Sequence, residues 1–256
     1  MSHILYRIEE DDAALPGPGE PVRAARWILA AAEAGELEAQ ALLGQILLDG
    51  NGIQRDPALA RTWFAIAAGR GHAMAGNMLG RCLELGWGGA VDLAAAARCY
   101  HQAAERGLDW GMYNYANLLA TGRGVERDQA GALIWYRRAA ELGHAKSMNL
   151  VGRYYEEGRT VPRDSQAAFA WYRRSAEAGD FRGQFSYASV LADRGRWDET
   201  RHWLRQSLAL GHLRFLRRAR DELLRAAFPQ LADIAQAYVW RCAELEGEEA
   251  AARSAP

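Results

Sequence analysis

Residues 118–144 read LLATGRGVERDQAGALIWYRRAAELGH and contain most of one copy of the pattern that organises the chain. The pattern returns at a fixed spacing of 36 residues on both sides of this stretch. Three sets of positions show it: Gly35, Gly71, Gly107, Gly143 and Gly179; Trp27, Trp63, Cys99, Trp135 and Trp171; and Ile28, Phe64, Tyr100, Tyr136 and Tyr172. A period of this length is typical of a solenoid, in which each unit buries its apolar face against its neighbours.

Each unit is expected to contain two helices, called A and B here. In the first full unit, apolar residues at helical spacing predict an A helix over residues 38–48, and Gly50 and Gly52 supply the turn that ends it. Asp56 followed by Pro57 predicts the start of the B helix, because aspartate caps helices and proline is favoured in their first turn. The repetition of these signals predicts an all-α fold, an α/α superhelical solenoid of tetratricopeptide-like helix-turn-helix repeats.

The boundaries of the pattern divide the chain into five segments. The spacing shortens by four residues in the fifth unit, where Trp203 and Gly211 each fall 32 residues after their predecessors. We therefore expect a flexible acidic tail (1–19), a half-repeat (20–35), five repeats (36–212), capping helices (213–246) and a disordered tail (247–256).

Composition narrows the classes of function. The net charge is −1, from 31 Lys and Arg against 32 Asp and Glu, so no basic field predicts binding to nucleic acid or to an anionic membrane. Three cysteines without paired spacing argue against a disulfide framework. The first residues resemble no signal peptide, and no stretch reaches the roughly 18 apolar residues of a membrane helix. We expect a cytoplasmic protein, with Cys99 as a small core residue.

The stretch over residues 118–144 resembles the Sel1-like repeat, a relative of the tetratricopeptide repeat. The resemblance rests on a G-x-G-V turn, an aspartate cap and the motif A-x-x-W-Y-x-x-A-A-x-x-G on the B helix, preceded in the first two full units by a Leu-Gly pair on the A helix. Four units match well, over residues 43–71, 79–107, 115–143 and 151–179. The resemblance implies a bacterial-type adaptor or scaffold whose A helices line a concave, protein-binding side.

Two other functions remain open. One branch of the resembling family is secreted, cysteine-rich and linked to penicillin binding or hydrolysis, but its regular cysteine pairs are missing here. Alternatively, the repeats serve as a dedicated stabiliser of one enzyme, which they bind through the convex B helices or through the arginine-rich segment over residues 214–225.

The residues that usually indicate chemistry are explained by the repeat. The glycine-rich segments follow a helix and recur in each unit, so we interpret them as turns rather than phosphate loops. His72, His144 and His212 follow a repeated glycine in different units and are expected to be turn residues, because metal ligands must converge. We therefore expect no catalytic, metal or cofactor site, and no small-molecule cofactor.

Function is expected on the inner face of the A helices, where the side chains vary between units. Aromatic, amide and arginine side chains are common at protein-binding hot spots. The predicted protein-binding residues are Gln45, Asn77, Arg81, Trp110, Tyr113, Asn117, Asn149, Arg153 and Phe185. For the three aromatic residues, a role in the core between units is an equal alternative.

Overall fold

The computed structural model describes residues 20–254, with side chains as far as residue 252. Within that range the chain is helical and has no strand, which confirms the all-α prediction. The A helices are α2 (Leu37–Asp49), α4 (Ala73–Leu85), α6 (Asp109–Thr121), α8 (Ala145–Glu157) and α10 (Phe181–Asp193). The B helices are α1 (Glu20–Glu33), α3 (Pro57–Gly69), α5 (Leu93–Glu105), α7 (Gln129–Glu141), α9 (Ser165–Glu177) and α11 (Trp197–Leu210). A capping segment follows, with α12 (Leu213–Ala226), a 3-10 turn (Pro229–Leu231) and α13 (Ala232–Ser254).

Side-chain caps and left-handed glycines set the helix boundaries, as the sequence predicts. Gly50, at φ 76°, ends α2 in the left-handed conformation that favours glycine. An aspartate precedes each of the B helices α3, α5, α7 and α9, and its carboxylate accepts a hydrogen bond from a backbone N–H of the first turn. These caps are Asp56, Asp92, Asp128 and Asp164.

The histidines that follow the repeated glycines are also caps. Nδ1 of His72 accepts the N–H of Ala75 at 3.0 Å, and His144 and His212 hold the same position before α8 and α12. Their assignment as turn residues is correct. The ring nitrogen accepts the hydrogen bond, because the unpaired groups at the start of a helix are N–H donors.

The chain divides into two compact units, which meet between Trp135 and Tyr136, within α7. In the first unit, each helix from α1 to α6 packs against the next, and the A helices α2, α4 and α6 also contact one another in sequence. In the second unit, α8 to α11 pack in the same way, α8 also contacts α10, and α13 packs on α11 and α12.

The last helix differs from the prediction. We expected the capping segment to end near residue 246 and a disordered tail to follow, but α13 continues through Gly247 to Ser254. Glutamate, alanine and arginine in residues 248–253 favour helix strongly enough to carry it past one glycine. The predicted tail over residues 1–19 and the last two residues lie outside the described residues.

Candidate protein-binding surface

Six of the nine predicted binding residues lie on the A helices of the first unit. Gln45 is on α2, Asn77 and Arg81 are on α4, and Trp110, Tyr113 and Asn117 are on α6. We call the side of α2, α4 and α6 that carries these residues the A face. Because α4 contacts both α2 and α6, the A face is one continuous surface of the first unit.

Trp110 and Tyr113 form the aromatic part of the A face. Trp110 is 40% exposed and Tyr113 is partly buried, and their ring centroids lie 6.1 Å apart with the planes nearly perpendicular. The residues are three apart in α6, so their side chains project from the same side of the helix. The aromatic pair is therefore part of the surface, and its tryptophan ring is accessible.

Arg81 is held in place by an aromatic residue from the turn after α4. Its guanidinium carbon lies 5.0 Å from the ring centroid of Trp87, within the range of a cation–π contact. Arg81 is partly buried, so its charge is positioned on the A face rather than fully solvated. Trp87 was not among the predicted site residues, because it lies in a turn and those residues were predicted from positions on the A helices.

Gln45 and Asn117 occupy the same position as Arg81 in the preceding and following repeats. Both are partly buried, and Nε2 of Gln45 donates a hydrogen bond to the carboxylate of Asp49 at 2.7 Å. An amide, an arginine and an amide thus follow one another along the A face, one from each A helix.

Asn77 is not part of the accessible surface. It is 3% exposed, and its Oδ1 accepts a hydrogen bond from Nδ2 of Asn114 at 2.8 Å. This bond joins α4 to α6, so Asn77 satisfies a buried polar group between two repeats. Its partner Asn114 lies in the adjacent repeat and was not predicted to have a role.

The remaining three predicted residues belong to the second unit, and two of them are buried. Asn149 is 5% exposed, and Phe185 is 7% exposed and packs edge-on against Phe215 and Tyr238 in the C-terminal core. For Phe185, the core alternative is correct. Arg153 is exposed and forms an ion pair with Glu157 at 3.2 Å within α8.

A buried tyrosine hydroxyl and a glutamate carboxylate join the two helices of one repeat beside the A face. The hydroxyl of Tyr100 donates to Glu84 at 2.8 Å, and Arg123 donates to the other oxygen of Glu84 at 2.9 Å. Burial and the adjacent Glu84 raise the pKa of Tyr100 far above its ordinary range. Tyr172 and Glu156 form the same pair at 2.7 Å two repeats later. These contacts fix the last turn of α4 against α5 and the last turn of α8 against α9.

The arginine-rich helix α12 is partly neutralised by acidic partners. Arg217 forms an ion pair with Glu246 of α13 at 2.7 Å, and Arg220 pairs with the adjacent Asp221 at 2.8 Å. Leu216 of the same helix is fully buried. The helix is amphipathic and closes the C-terminal core with its apolar side.

Three observations concern metal binding, the cysteines and membrane-spanning helices. Over residues 20–254, no three His, Cys, Asp or Glu side chains are grouped so that they could hold a metal ion. The cysteines Cys82, Cys99 and Cys242 are free thiols. None of the helices between residues 20 and 254 combines the length and apolarity needed to cross a bilayer.

Comparison of the sequence with models of known protein families gives one match. The model of the Sel1 repeat matches residues 16–36, 37–72, 73–108, 111–144 and 145–180, which together make up more than half of the chain. The match stops before α10 and α11, although these helices pack as the other A and B pairs do. No curated protein matches the sequence.

Solved structures give the same fold. A protective antigen of uropathogenic Escherichia coli with an SLR fold is 26% identical, with a TM-score of 0.71; the match covers 88% of this chain but only 49% of the antigen. A Sel1 repeat protein from Oxalobacter formigenes is 24% identical, with a TM-score of 0.77, over 88% of this chain and 95% of that one. An immunity protein from Pseudomonas aeruginosa is 16% identical, with a TM-score of 0.51, over 93% and 86% of the two chains.

Proteins built from these repeats generally act as scaffolds for protein interactions, and the solenoid is typically non-catalytic. The repeats, their caps and the helix-turn-helix packing lead to the same assignment as the family model. The chain belongs to the Sel1 repeat family.

Proposed function

We propose that this chain is a non-catalytic interaction module and that the A face of its first unit binds a protein or peptide. The observation that carries the proposal is the exposed ring of Trp110, which lies beside Tyr113 on the same helix that carries Asn117. The positioned guanidinium of Arg81 lies on the neighbouring helix α4.

The chemistry of this surface suits an extended peptide. Tryptophan, tyrosine and arginine dominate binding hot spots, since they bury large areas and add directional polar contacts. Arg81 can form a charge-assisted hydrogen bond with a carboxylate, and the amides of Gln45 and Asn117 can pair with a peptide backbone. Asn77, Asn149 and Phe185 are excluded from the proposed contact residues because they are buried.

The free thiols support a reducing compartment, and we propose the cytoplasm as the place of action. Cys82 and Cys242 are buried, and burial raises the pKa of both thiols, which keeps them in the protonated, unreactive form. The secreted, cysteine-rich alternative requires disulfide-bonded pairs, whereas all three cysteines of this chain are free.

The C-terminal surface supports the second candidate function, in which the capping segment holds one partner enzyme. Trp240 on α13 is 68% exposed and Leu224 on α12 is 53% exposed, which gives this end two accessible apolar side chains. We rank this candidate lower because two of the five arginines of α12, Arg217 and Arg220, already have acidic partners.

Affinity of a captured partner for three variants tests the proposal. The partner is isolated with the wild-type chain, purified, and titrated against Arg81→Ala/Trp110→Ala, against Trp240→Ala, and against the matched exposed pair Arg26→Ala/Trp27→Ala. Loss of one hot-spot side chain weakens binding by about 30-fold, or roughly 2 kcal/mol. We expect this loss of affinity only in the Arg81→Ala/Trp110→Ala variant. If that variant binds the partner with full affinity and its far-UV circular dichroism spectrum is unchanged, the proposal is wrong.

A further inference from the structure

The first unit also contains a groove on the side of the B helices. It lies between α3 and α5, above α4, and has a volume of about 690 Å³. Leu79 and Leu83 form its apolar floor, Ala65 and Cys99 line its walls, and Arg61 and Arg98 lie at its rim. We call it the Cys99 groove. Its volume is within the range of about 300–1,000 Å³ that is usual for pockets that bind small molecules or side chains.

The groove exists because three side chains are smaller here than at the same positions of the next repeat. Residues 65, 79 and 99 are alanine, leucine and cysteine, whereas 36 residues later the chain has His101, Tyr115 and Trp135. Those three rings pack together: the centroids of His101 and Tyr115 lie 4.6 Å apart, and those of Tyr115 and Trp135 lie 5.8 Å apart. The Cys99 groove is therefore open at a position where the next repeat carries a tryptophan ring.

The prediction for Cys99 is correct in part, because the side chain packs against the hydrophobic core of this repeat but is not enclosed by it. We expected a small core residue because Cys99 occupies the repeated tryptophan position. The side chain is only partly buried and lines the groove, since the neighbouring residues at positions 65 and 79 are also too small to close over it.

The rim of the groove is positively charged. Arg98 is exposed and forms no ion pair with the residues that the structure describes, and Arg61 donates only a long hydrogen bond of 3.4 Å to the carbonyl of Ala90. The nearby carboxylate of Asp92 accepts the backbone N–H of Ala95 at 2.8 Å as the cap of α5. Two guanidinium groups are thus available to a carboxylate at the rim.

From this geometry we infer that the Cys99 groove binds an aromatic side chain, of tryptophan size, that a partner protein presents next to an acidic residue. The ring fills the apolar space above Leu79 and Leu83, and the carboxylate pairs with Arg61 and Arg98. Aromatic anchors that enter a preformed pocket beside an arginine are a common form of hot spot. This site is separate from the A face, because Leu79 and Arg81 are two residues apart in α4 and project on nearly opposite sides of the helix.

Short peptides with one tryptophan test the inference on the full chain. The probes are an acetylated and amidated tripeptide with tryptophan between two glutamates, the same peptide with two glutamines, the same with two lysines, and free N-acetyltryptophan. Binding is measured by calorimetry or by protein-detected NMR titration. We expect the glutamate peptide to bind most tightly and the lysine peptide least, with at least a tenfold difference between them.

Two pairs of variants locate the binding. Cys99→Trp places in the groove the ring that the other repeats carry, and we expect it to weaken the glutamate peptide at least tenfold, whereas Cys99→Ala leaves the groove open and binds as wild type does. Arg61→Gln/Arg98→Gln should remove the preference for glutamate over glutamine. If Cys99→Trp fails to fold, alkylation of Cys99 with N-ethylmaleimide in the folded wild-type chain fills the same space.

Three outcomes would overturn the inference. One is the absence of measurable binding of the glutamate peptide to wild type, and another is equal binding when the groove is filled by tryptophan or by the maleimide adduct. The third is N-acetyltryptophan binding as tightly as the peptide, which would assign the groove to a small-molecule ligand instead. None of these results depends on whether the A face binds its partner.

Discussion

Substitution of Gly80 by alanine tests how tightly the repeats are packed. A Cβ atom at this position would lie 2.6 Å from Cε1 and 2.7 Å from Cδ1 of Tyr100, whereas ordinary contacts of this kind begin near 3.4 Å. Tyr100 is fully buried, and its hydroxyl is bonded to Glu84 at 2.8 Å. The ring therefore cannot move away without straining that hydrogen bond.

Two opposing effects decide whether Gly80→Ala raises or lowers the free energy of unfolding. Alanine favours helix over glycine by about 1 kcal/mol. Inserting a methyl group into a packed core costs about 1–3 kcal/mol, and weakening a hydrogen bond to a carboxylate costs about 1.5–3 kcal/mol when the bond is lost. We expect the steric effect to win, so that Gly80→Ala lowers the free energy of unfolding by about 2 kcal/mol.

A double-mutant cycle shows whether the ring is the cause. The fifth repeat carries Ala188 and Leu204 at the positions of Gly80 and Tyr100, and both are at most 1% exposed in one apolar cluster. In a Tyr100→Leu background, Gly80→Ala should therefore be neutral, or should stabilise by up to about 1 kcal/mol through helix propensity.

Denaturant unfolding of the four proteins, followed by far-UV circular dichroism, gives the required free energies. The packing argument would be refuted if Gly80→Ala were as stable as wild type while Tyr100 is present. It would also fail if the cost were the same in the Tyr100→Leu background.

Three further predictions concern ionisation, thiol access and turn geometry. Burial raises the pKa values of Tyr100 and Tyr172, so each neutral hydroxyl stabilises the fold below the unfolded pKa of about 10. Above that pH each tyrosine loses this contribution by roughly 1.4 kcal/mol per pH unit. The free energy of unfolding should therefore fall more steeply with alkaline pH in wild type than in a Tyr100→Phe/Tyr172→Phe variant. Cys99 should be the one thiol that Ellman's reagent modifies in the folded chain, and the reaction should be slow because burial raises its pKa. All three thiols should react after unfolding, and fast reaction of a second thiol in the folded chain would contradict the burial of the other two. Gly88→Ala should lower the free energy of unfolding by at least about 1 kcal/mol, because φ is +74° and the added Cβ would overlap the backbone carbonyl of Pro57. Thermal unfolding of the variant and of the wild type measures the difference.

The fold was predictable because its determinants are local and repeated. The carboxylate of Asp56 caps α3, which begins at the next residue, and Gly50 ends α2 through its own backbone conformation. Such signals need no knowledge of distant contacts, and their recurrence every 36 residues reduces the chance of error. The continuation of α13 past Gly247 was not predicted, because glycine disfavours the interior of a helix and the helix-favouring residues that follow it outweigh that preference.

The candidate site was less predictable because exposure depends on partners in other repeats. Asn77 and Arg81 lie one turn apart on the same helix, yet Asn77 is buried by its bond to Asn114, which lies 37 residues away. Position within a repeat indicates which side of a helix a residue occupies, but not what the next repeat places against it. Arg81 was predicted to be on the surface without its stacking partner Trp87 for a different reason, because Trp87 lies in the turn of the same repeat, where helical spacing does not indicate the direction of a side chain.

The sequence does indicate the Cys99 groove, but only through three positions taken together, because no single residue predicts it. A cysteine in the tryptophan position is compatible with a closed core if its neighbours are larger. Only when residues 65, 79 and 99 are compared together with their equivalents in the next repeat does the loss of three rings become visible. Repeat proteins allow this comparison within a single chain.

Site-specific photo-crosslinking tests the central claim, binding at the A face, most directly. A benzophenone amino acid is introduced at Tyr113 on the A face, at Trp27 on α1, or at Trp240 on α13, and each chain is irradiated with its captured partner. Trp27 is 64% exposed and provides an apolar control in the first unit, away from both the A face and the Cys99 groove. We predict a crosslinked complex from position 113 and none from positions 27 and 240; crosslinking from position 240 without any from position 113 would contradict the account.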